Sequence, residues 1–186
     1  ASTCAVYGVP REIPIPEDHP HAPISPYGAS KAAFERLLSD VAAAHGMKAV
    51  VFRYFNAAGA HESGDLGEMH DPETHLIPIA LDVALGRRER LTVHGDDFDT
   101  PDGTCVRDYV DVRDIAAAHV LALEALAAGG DVAGAFNLGH GRGSSVLEVV
   151  RAVEDVTGRA LAVTRGPRRP GDPAELIAKT GRAHEV

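Results

Sequence analysis

The sequence predicts an α/β fold built around a parallel sheet. Short apolar runs alternate with helix-length periodic segments along the whole chain. The strongest apolar run, residues 49–55, is continuous rather than alternating, as in a strand covered on both faces. A helix-length segment directly before it completes half of a right-handed crossover unit.

The elements follow in order. Residues 1–8 read as a short apolar strand ending at Gly8, and residues 9–26 as a proline-rich loop. Ser25-Pro26 opens a helix to about His45. Ala33, Phe34, Leu37, Leu38 and Val41 fall at helical spacing, and Gly46 stops the helix. After the strand, residues 56–74 form a long polar loop, a length that is usually functional inside a compact domain. Residues 75–85 are a helix closed by Gly86, and 91–94 a short strand. An acidic loop over 96–107 leads to a short strand at 110–112 and an amphipathic helix at 114–126. Residues 135–138 form a strand. Ser145 with Glu148 makes a capping box for a helix to Thr157, ended by Gly158. A strand at 160–164 and a basic, turn-rich tail at 165–172 follow.

Composition excludes several function classes. The 186 residues are 45% hydrophobic and 24% charged, a globular balance. A net charge of −9 argues against nonspecific nucleic-acid binding, which needs clustered positive charge. No apolar run approaches the length of a membrane span. Cys4 and Cys105 are too few and too far apart for a disulfide framework, so the cytoplasm is the expected compartment. His61, His70 and His75 fit no usual metal-ligand spacing and read as solvated loop histidines, so no metal is expected.

The sharpest chemical feature is Ser25-Pro26-Tyr27-Gly28-Ala29-Ser30-Lys31. Tyr27 and Lys31 lie four apart at a helix start and share one face. A free tyrosine titrates near ~10, too high for a base at neutral pH. A neighbouring ammonium stabilises the phenolate, so the pair is suited to general acid–base work. Alone, a Tyr-x-x-x-Lys pattern more often marks an ordinary solvated face. Two further polar clusters change that reading: Ser2-Thr3-Cys4-Ala5-Val6-Tyr7-Gly8 and Arg53-Tyr54-Phe55-Asn56 both lie at strand ends, where open parallel sheets bind ligands.

With His75-Leu76-Ile77-Pro78, residues 102–109, Phe136-Asn137-Leu138-Gly139 and Arg168-Arg169-Pro170-Gly171-Asp172, these motifs resemble the extended short-chain dehydrogenase/reductase family. Within it they resemble the UDP-sugar 4-epimerase branch. The resemblance implies the C-terminal part of a Rossmann-type parallel sheet plus a small α/β substrate-binding domain. Residues 1–56 would be the latter part of the NAD-binding domain. Residues 57–186 would mainly bind the UDP-sugar, with 91–140 sending strands and a helix back to the first domain. The implied activity is NAD-dependent interconversion of UDP-galactose and UDP-glucose through a 4-keto intermediate. A 4-epimerase of another UDP-sugar (pentose, uronate or N-acetylhexosamine) and a non-catalytic UDP-sugar-binding remnant are the alternatives.

The resemblance also implies residue roles. Tyr27 would be the catalytic acid–base, and Lys31 its partner and a holder of the nicotinamide ribose. Thr3 would bond the sugar's 4-hydroxyl, with Ser2 as its substitute on the cofactor side. Tyr54 and Phe55 would line the nicotinamide end. Asn56, Arg107 and Arg169 would contact the diphosphate, where forked guanidinium groups suit the chemistry. His75, Leu76, Thr92 and His94 would hold the nucleotide, and Asp172 the uridine ribose. Read without the family, Arg107 pairs with Asp108 or Asp111 on the surface. Cys4 and Ala5 stand where related dehydratases carry acidic residues, which disfavours that chemistry. The family's Gly-rich NAD turn is absent, so the sequence reads either as a fragment of such an enzyme lacking its N-terminal NAD-binding portion or as a truncated relative. A homodimer is implied for the intact protein.

Overall fold

The computed structural model describes residues 1–185. Strand β1 is only Ser2–Thr3. The strand expected over 1–8 stops there because the Thr3 hydroxyl accepts the Ala5 N–H at 3.2 Å and caps a 3-10 turn over Cys4–Val6. After the proline-rich loop, helix α1 spans Pro26–His45. Its bounds follow from local chemistry. The Ser25 side chain accepts the Gly28 N–H, Pro26 occupies the first turn, and Gly46 ends the helix in the left-handed region at φ 63°.

Strand β2 (Val50–Tyr54) and the short β3 (Asn56–Ala58) come next, then helix α2 (Leu76–Ala84), β4 (Leu91–His94) and β5 (Val106–Asp111). Helix α3 spans Val112–Ala127, capped by Asp111. Strands β6 (Gly134–Leu138) and β7 (Gly143–Ser145) precede helix α4 (Val146–Thr157). The capping box between Ser145 and Glu148 is present, and Gly158 is the left-handed stop. Strands β8 (Val163–Gly166) and β9 (Glu175–Leu176) and the short α5 (Gly181–His184) complete the described chain.

Three sheets organise these elements. In the first, β2 lies between β1 and β6, parallel to both, with Thr3 opposite Tyr54 and Tyr54 opposite Leu138. In the second, β5 runs parallel to β3 and β9 and antiparallel to β7. In the third, β4 pairs in parallel with β8. Helix α3 covers one face of the first sheet, placing Ile115, Ala118 and Ala122 on Phe52, Phe136 and Leu138. Helices α2 and α4 pack together over β4 through Ala80, Val83, Leu91, Val150, Val153 and Leu161. A third core gathers Cys4, Val6, Tyr7, Ile15, Phe55 and Ala178. No helix among the described residues is long and apolar enough to cross a membrane.

Several expectations need correction. The apolar stripe of α1 does not face the core: Phe34, Leu37 and Val41 are 49%, 59% and 39% exposed. The buried positions of this helix are Gly28 and Glu35 instead. A carboxylate takes a core-facing position there because Arg53 of β2 supplies its countercharge. The strand expected at 110–112 is longer, starting at Val106, which shortens the preceding loop. The strand expected at 160–164 is displaced to Val163–Gly166, while Leu161 packs into the α2–α4 core. Strands β3, β7 and β9 and helix α5 are too short to leave a periodic signature.

Candidate active site

The Tyr27–Lys31 pair sits at the start of α1, held against the turn that follows β1. The contact depends on Gly28, which has no side chain. A Cβ at that position would lie 2.4 Å from the Ala5 carbonyl oxygen and 3.1 Å from Pro23. The Lys31 ammonium is 5.8 Å from the Tyr27 ring centroid and donates to the Ala1 carbonyl at 3.4 Å. Tyr27 is 56% exposed. The structure therefore sets the first turns of α1 against the β1 segment, with Lys31 at the Ala1 carbonyl and Gly28 at Ala5.

The two hydroxyls of β1 differ. Ser2 is buried and donates to the Glu35 carboxylate, committing it to the interior. Thr3 uses its oxygen as acceptor for the Ala5 N–H, and its own O–H remains available to donate. Cys4, next in line, is buried, and desolvation pushes its thiol up to about 11 despite Arg107 nearby. It is a packing residue with no acid–base capacity near neutrality.

Beneath this end of the sheet runs a buried polar network that sequence reasoning missed. Arg53 grips the Glu35 carboxylate with Nε and Nη2, the latter at 2.7 Å. Its Nη1 donates to the Tyr7 hydroxyl at 2.9 Å and to the Glu17 carbonyl at 2.7 Å. Tyr7 donates to Asn137 Oδ1 at 2.6 Å, and Asn137 Nδ2 donates to the Ile15 carbonyl. Burial pushes the Glu35 carboxyl up, but hydrogen bonds from Arg53 and Ser2 outweigh it and hold the group below its ordinary value. Burial pushes the Tyr7 phenol up to about 12, against the opposing pull of Arg53. Tyr7 is thus a neutral hydroxyl that ties the turn after β1 to β2 and β6. The hydroxyl of Tyr7 and the amide of Asn137, both in quoted motifs, were the available signal.

A second cluster forms where β5 meets the C-terminal tail. Arg107 is buried and donates to the Asp172 carboxylate and, at 2.7 Å, to the Val106 carbonyl. Arg169 donates to the other Asp172 oxygen through Nη2 at 2.9 Å. The structure brings Arg107, Arg169 and Asp172 together as one ion triad. Arg107 does not pair with Asp108 or Asp111. Asp111 holds Arg113, and Asp108 accepts backbone N–H groups of His140, Gly141 and Ala178 at 2.6–3.0 Å. Arg168 turns away to Asp97 and stacks over Phe98 at 4.2 Å.

The remaining candidates are scattered among roles. Asn56 opens β3 opposite Tyr109. Thr92 faces Thr164 across the β4–β8 pair at 3.2 Å, and His94 Nδ1 approaches the Pro167 carbonyl. His75 stands at the N-cap position of α2 without a side-chain bond to the helix, and its ring meets Glu73 and Glu68. Leu76 packs into the α2–α4 core and Phe55 is buried in the core beside Tyr7, so both have structural surroundings. Tyr54 bonds His119 of α3 at 2.9 Å rather than facing the Tyr27 side chain. A cleft of about 500 Å3 between α1, β2 and β6 is lined by Glu35, Arg53 and Val51 but by neither Tyr27 nor Lys31.

The donor set suits one end of a dinucleotide. A phenol, an ammonium and a threonine hydroxyl at a parallel-strand end are hydrogen-bonding groups that fit a ribose of such a cofactor. The sequence contains no Gly-x-x-Gly-x-x-Gly turn to cradle a pyrophosphate.

Comparison with known proteins places this geometry. Residues 1–139 match the NAD dependent epimerase/dehydratase family. A UDP-glucose 4-epimerase of Azospirillum brasilense is 52% identical over 185 residues, covering the whole of this chain and 53% of that protein. The crystal structure of a UDP-glucose 4-epimerase from Brucella ovis in complex with NAD superimposes with a TM-score of 0.93 at 52% identity, over 99% of this chain and 56% of that one. One from Bifidobacterium longum in complex with NAD+ and UDP gives 0.92 at 43% identity, over all of this chain and 56% of that one. The chain thus spans about half the length of the curated relatives it matches. It belongs to the NAD dependent epimerase/dehydratase family.

Proposed function

We propose that this chain carries the catalytic tyrosine and the UDP-sugar-binding half of an enzyme that interconverts UDP-galactose and UDP-glucose. The observation that supports the reading is the Tyr27–Lys31 pair on the first turns of α1, packed against the turn after β1, with the Arg107–Asp172–Arg169 triad elsewhere in the same chain. NAD supplies the acceptor and donor of hydride at the sugar's C4. Tyr27 takes the 4-hydroxyl proton as the 4-keto sugar forms and returns it afterwards. The Lys31 ammonium offsets the negative charge left on the phenolic oxygen and holds the nicotinamide ribose. Thr3 donates to the sugar oxygen, and Ser2, tied to Glu35, keeps β1 in place.

Arg107 and Arg169 exchange Asp172 for the diphosphate, with Asn56 beside it and Asp172 released to the uridine ribose. His75, Thr92 and His94 border the nucleotide. Tyr54 and Phe55 act from below, as the floor of the nicotinamide end. Residues 1–56, with α3 and β6, form the cofactor side, and the remainder forms the substrate side. The exposed apolar stripe of α1 suits a second copy of the intact protein. Two buried free thiols suit a cytoplasmic setting.

The test is calorimetric titration of UDP-galactose into the 186-residue chain. Saturable binding, competed by UDP and weakened by Arg107→Ala, supports the substrate half. Tyr27→Phe then keeps binding but abolishes conversion to UDP-glucose wherever conversion is measurable. Absence of binding by the folded chain overturns the reading for this molecule.

A further inference from the structure

The loop before α2 gathers donors that the spacing of its histidines did not suggest. His70, Glu73 and His75 each offer one ligand atom, all within 4.8 Å of one another. The two imidazole rings stand 5.4 Å apart, edge to face. Two carboxylates converge on one ring nitrogen: His75 Nδ1 lies 2.9 Å from Glu73 and 2.5 Å from Glu68. The missing element in the sequence was Glu73, which lies between the histidines and makes a three-donor group with them.

The group is also braced. His70 Nδ1 faces the Pro72 carbonyl at 2.9 Å. A carbonyl can only accept, so Nδ1 carries the hydrogen and Nε2 keeps its lone pair for a metal. Glu73 Oε1 accepts the backbone N–H groups of Thr74 and His75, both at 2.7 Å, which orients the carboxylate and leaves Oε2 open. His75 is anchored by its backbone to the first turn of α2, where its carbonyl accepts the Ile79 N–H. Both histidines are exposed, so an ion reaches them without opening the core.

We propose that His70, Glu73 and His75 bind one zinc-class divalent cation, with Glu68 as a fourth donor. Two imidazoles and one or two carboxylates form a mixed nitrogen–oxygen set suited to zinc, cobalt or nickel. Calcium and magnesium prefer all-oxygen sites, and no thiolate is present to select copper(I). Ligand atoms around tetrahedral zinc lie ~3.3 Å apart, from bonds of ~2.0 Å. An ion would therefore displace the hydrogen that His75 Nδ1 shares with the carboxylates and open those contacts from 2.9 and 2.5 Å. It would draw in the wider ones, which lie within 4.8 Å, by side-chain rotation in the exposed loop. The positive end of α2 opposes a cation only weakly beside two carboxylates. Bound metal would pin the polar loop to the start of α2. The proposal does not rest on the nucleotide reading, since binding is measured without nucleotide.

The test is equilibrium dialysis of zinc chloride against the metal-free 186-residue chain, followed by cobalt(II) absorption. The expected result is one equivalent bound at micromolar free zinc, with a raised melting temperature. His70→Ala and Glu73→Gln should each weaken it by about tenfold or more, while His61→Ala leaves it intact. A folded chain that takes up no zinc at micromolar concentration overturns the proposal, as does uptake that survives His70→Ala.

Discussion

Gly28 and Ala5 are in backbone contact: the first turn of α1 lies so close to the Ala5 carbonyl that a Cβ at 28 would stand 2.4 Å from its oxygen. That contact sets where Tyr27 and Lys31 lie relative to β1. Backbone, not a flexible side chain, is what the new atom would strike.

Gly28→Ala should therefore destabilise the chain by about 1–3 kcal/mol, as overpacking does. The sign is informative, because Gly-to-Ala in a helix otherwise gains about 1 kcal/mol. Urea unfolding of Gly28→Ala beside the wild-type chain measures it. A stabilised variant would show that α1 can stand off from the turn.

Glu35 and Arg53 make a testable buried pair. Glu35→Ala leaves a buried guanidinium without its carboxylate and should cost about 3–5 kcal/mol in urea unfolding.

Acid should weaken the same pair in the wild-type chain. The folded Glu35 carboxyl is held below its ordinary value of 4.5, so its stabilisation is full above that value and fades as pH falls through the depressed one. The urea midpoint should drop on acidification in that range. Glu35→Gln should flatten the dependence, and an equal slope in both proteins would remove Glu35 from the explanation.

Arg107→Lys keeps the charge but loses the fork that spans Asp172 and the Val106 carbonyl. UDP affinity should fall by about 1.5–3 kcal/mol, the worth of a hydrogen bond to a charged group. Calorimetry with UDP measures it, and unchanged affinity would show that point charge suffices there.

Asp108 is fully buried and accepts three backbone N–H groups, from His140, Gly141 and Ala178. Asp108→Asn turns one acceptor into a donor facing donors, at a cost of about 1–3 kcal/mol. Amide hydrogen exchange at Gly141 and Ala178 should speed up, and unchanged protection would mean that the loop holds without the carboxylate.

What could be read in the sequence was what neighbouring residues decide. Ser25, Pro26 and Gly46 mark α1, and Ser145 with Glu148 marks α4, because caps act within one helical turn. Tyr27 and Lys31 were legible for the same reason. The orientation of α1 was not: a stripe of Phe34, Leu37 and Val41 spells an apolar face without saying what lies opposite it. Nothing near Glu35 in the chain marks it for burial, because its countercharge, Arg53, stands on another element. Tyr7 and Asn137 are 130 residues apart in the chain, and only folding makes them partners. Motif resemblance gathered Arg107, Arg169 and Asp172 as ligand groups, but their bonding to each other is a three-dimensional fact.

That mutual bonding has a consequence for how the chain responds to ionic strength. Asp172 already occupies both arginines as an internal anion. A phosphorylated ligand arriving there swaps one anion for another rather than neutralising two bare cations. Its affinity should therefore fall with added salt more gently than two guanidinium groups alone would suggest. On the proposed function, selectivity at the triad would lie in shape: an anion would have to bridge the two forks better than the single carboxylate of Asp172 does.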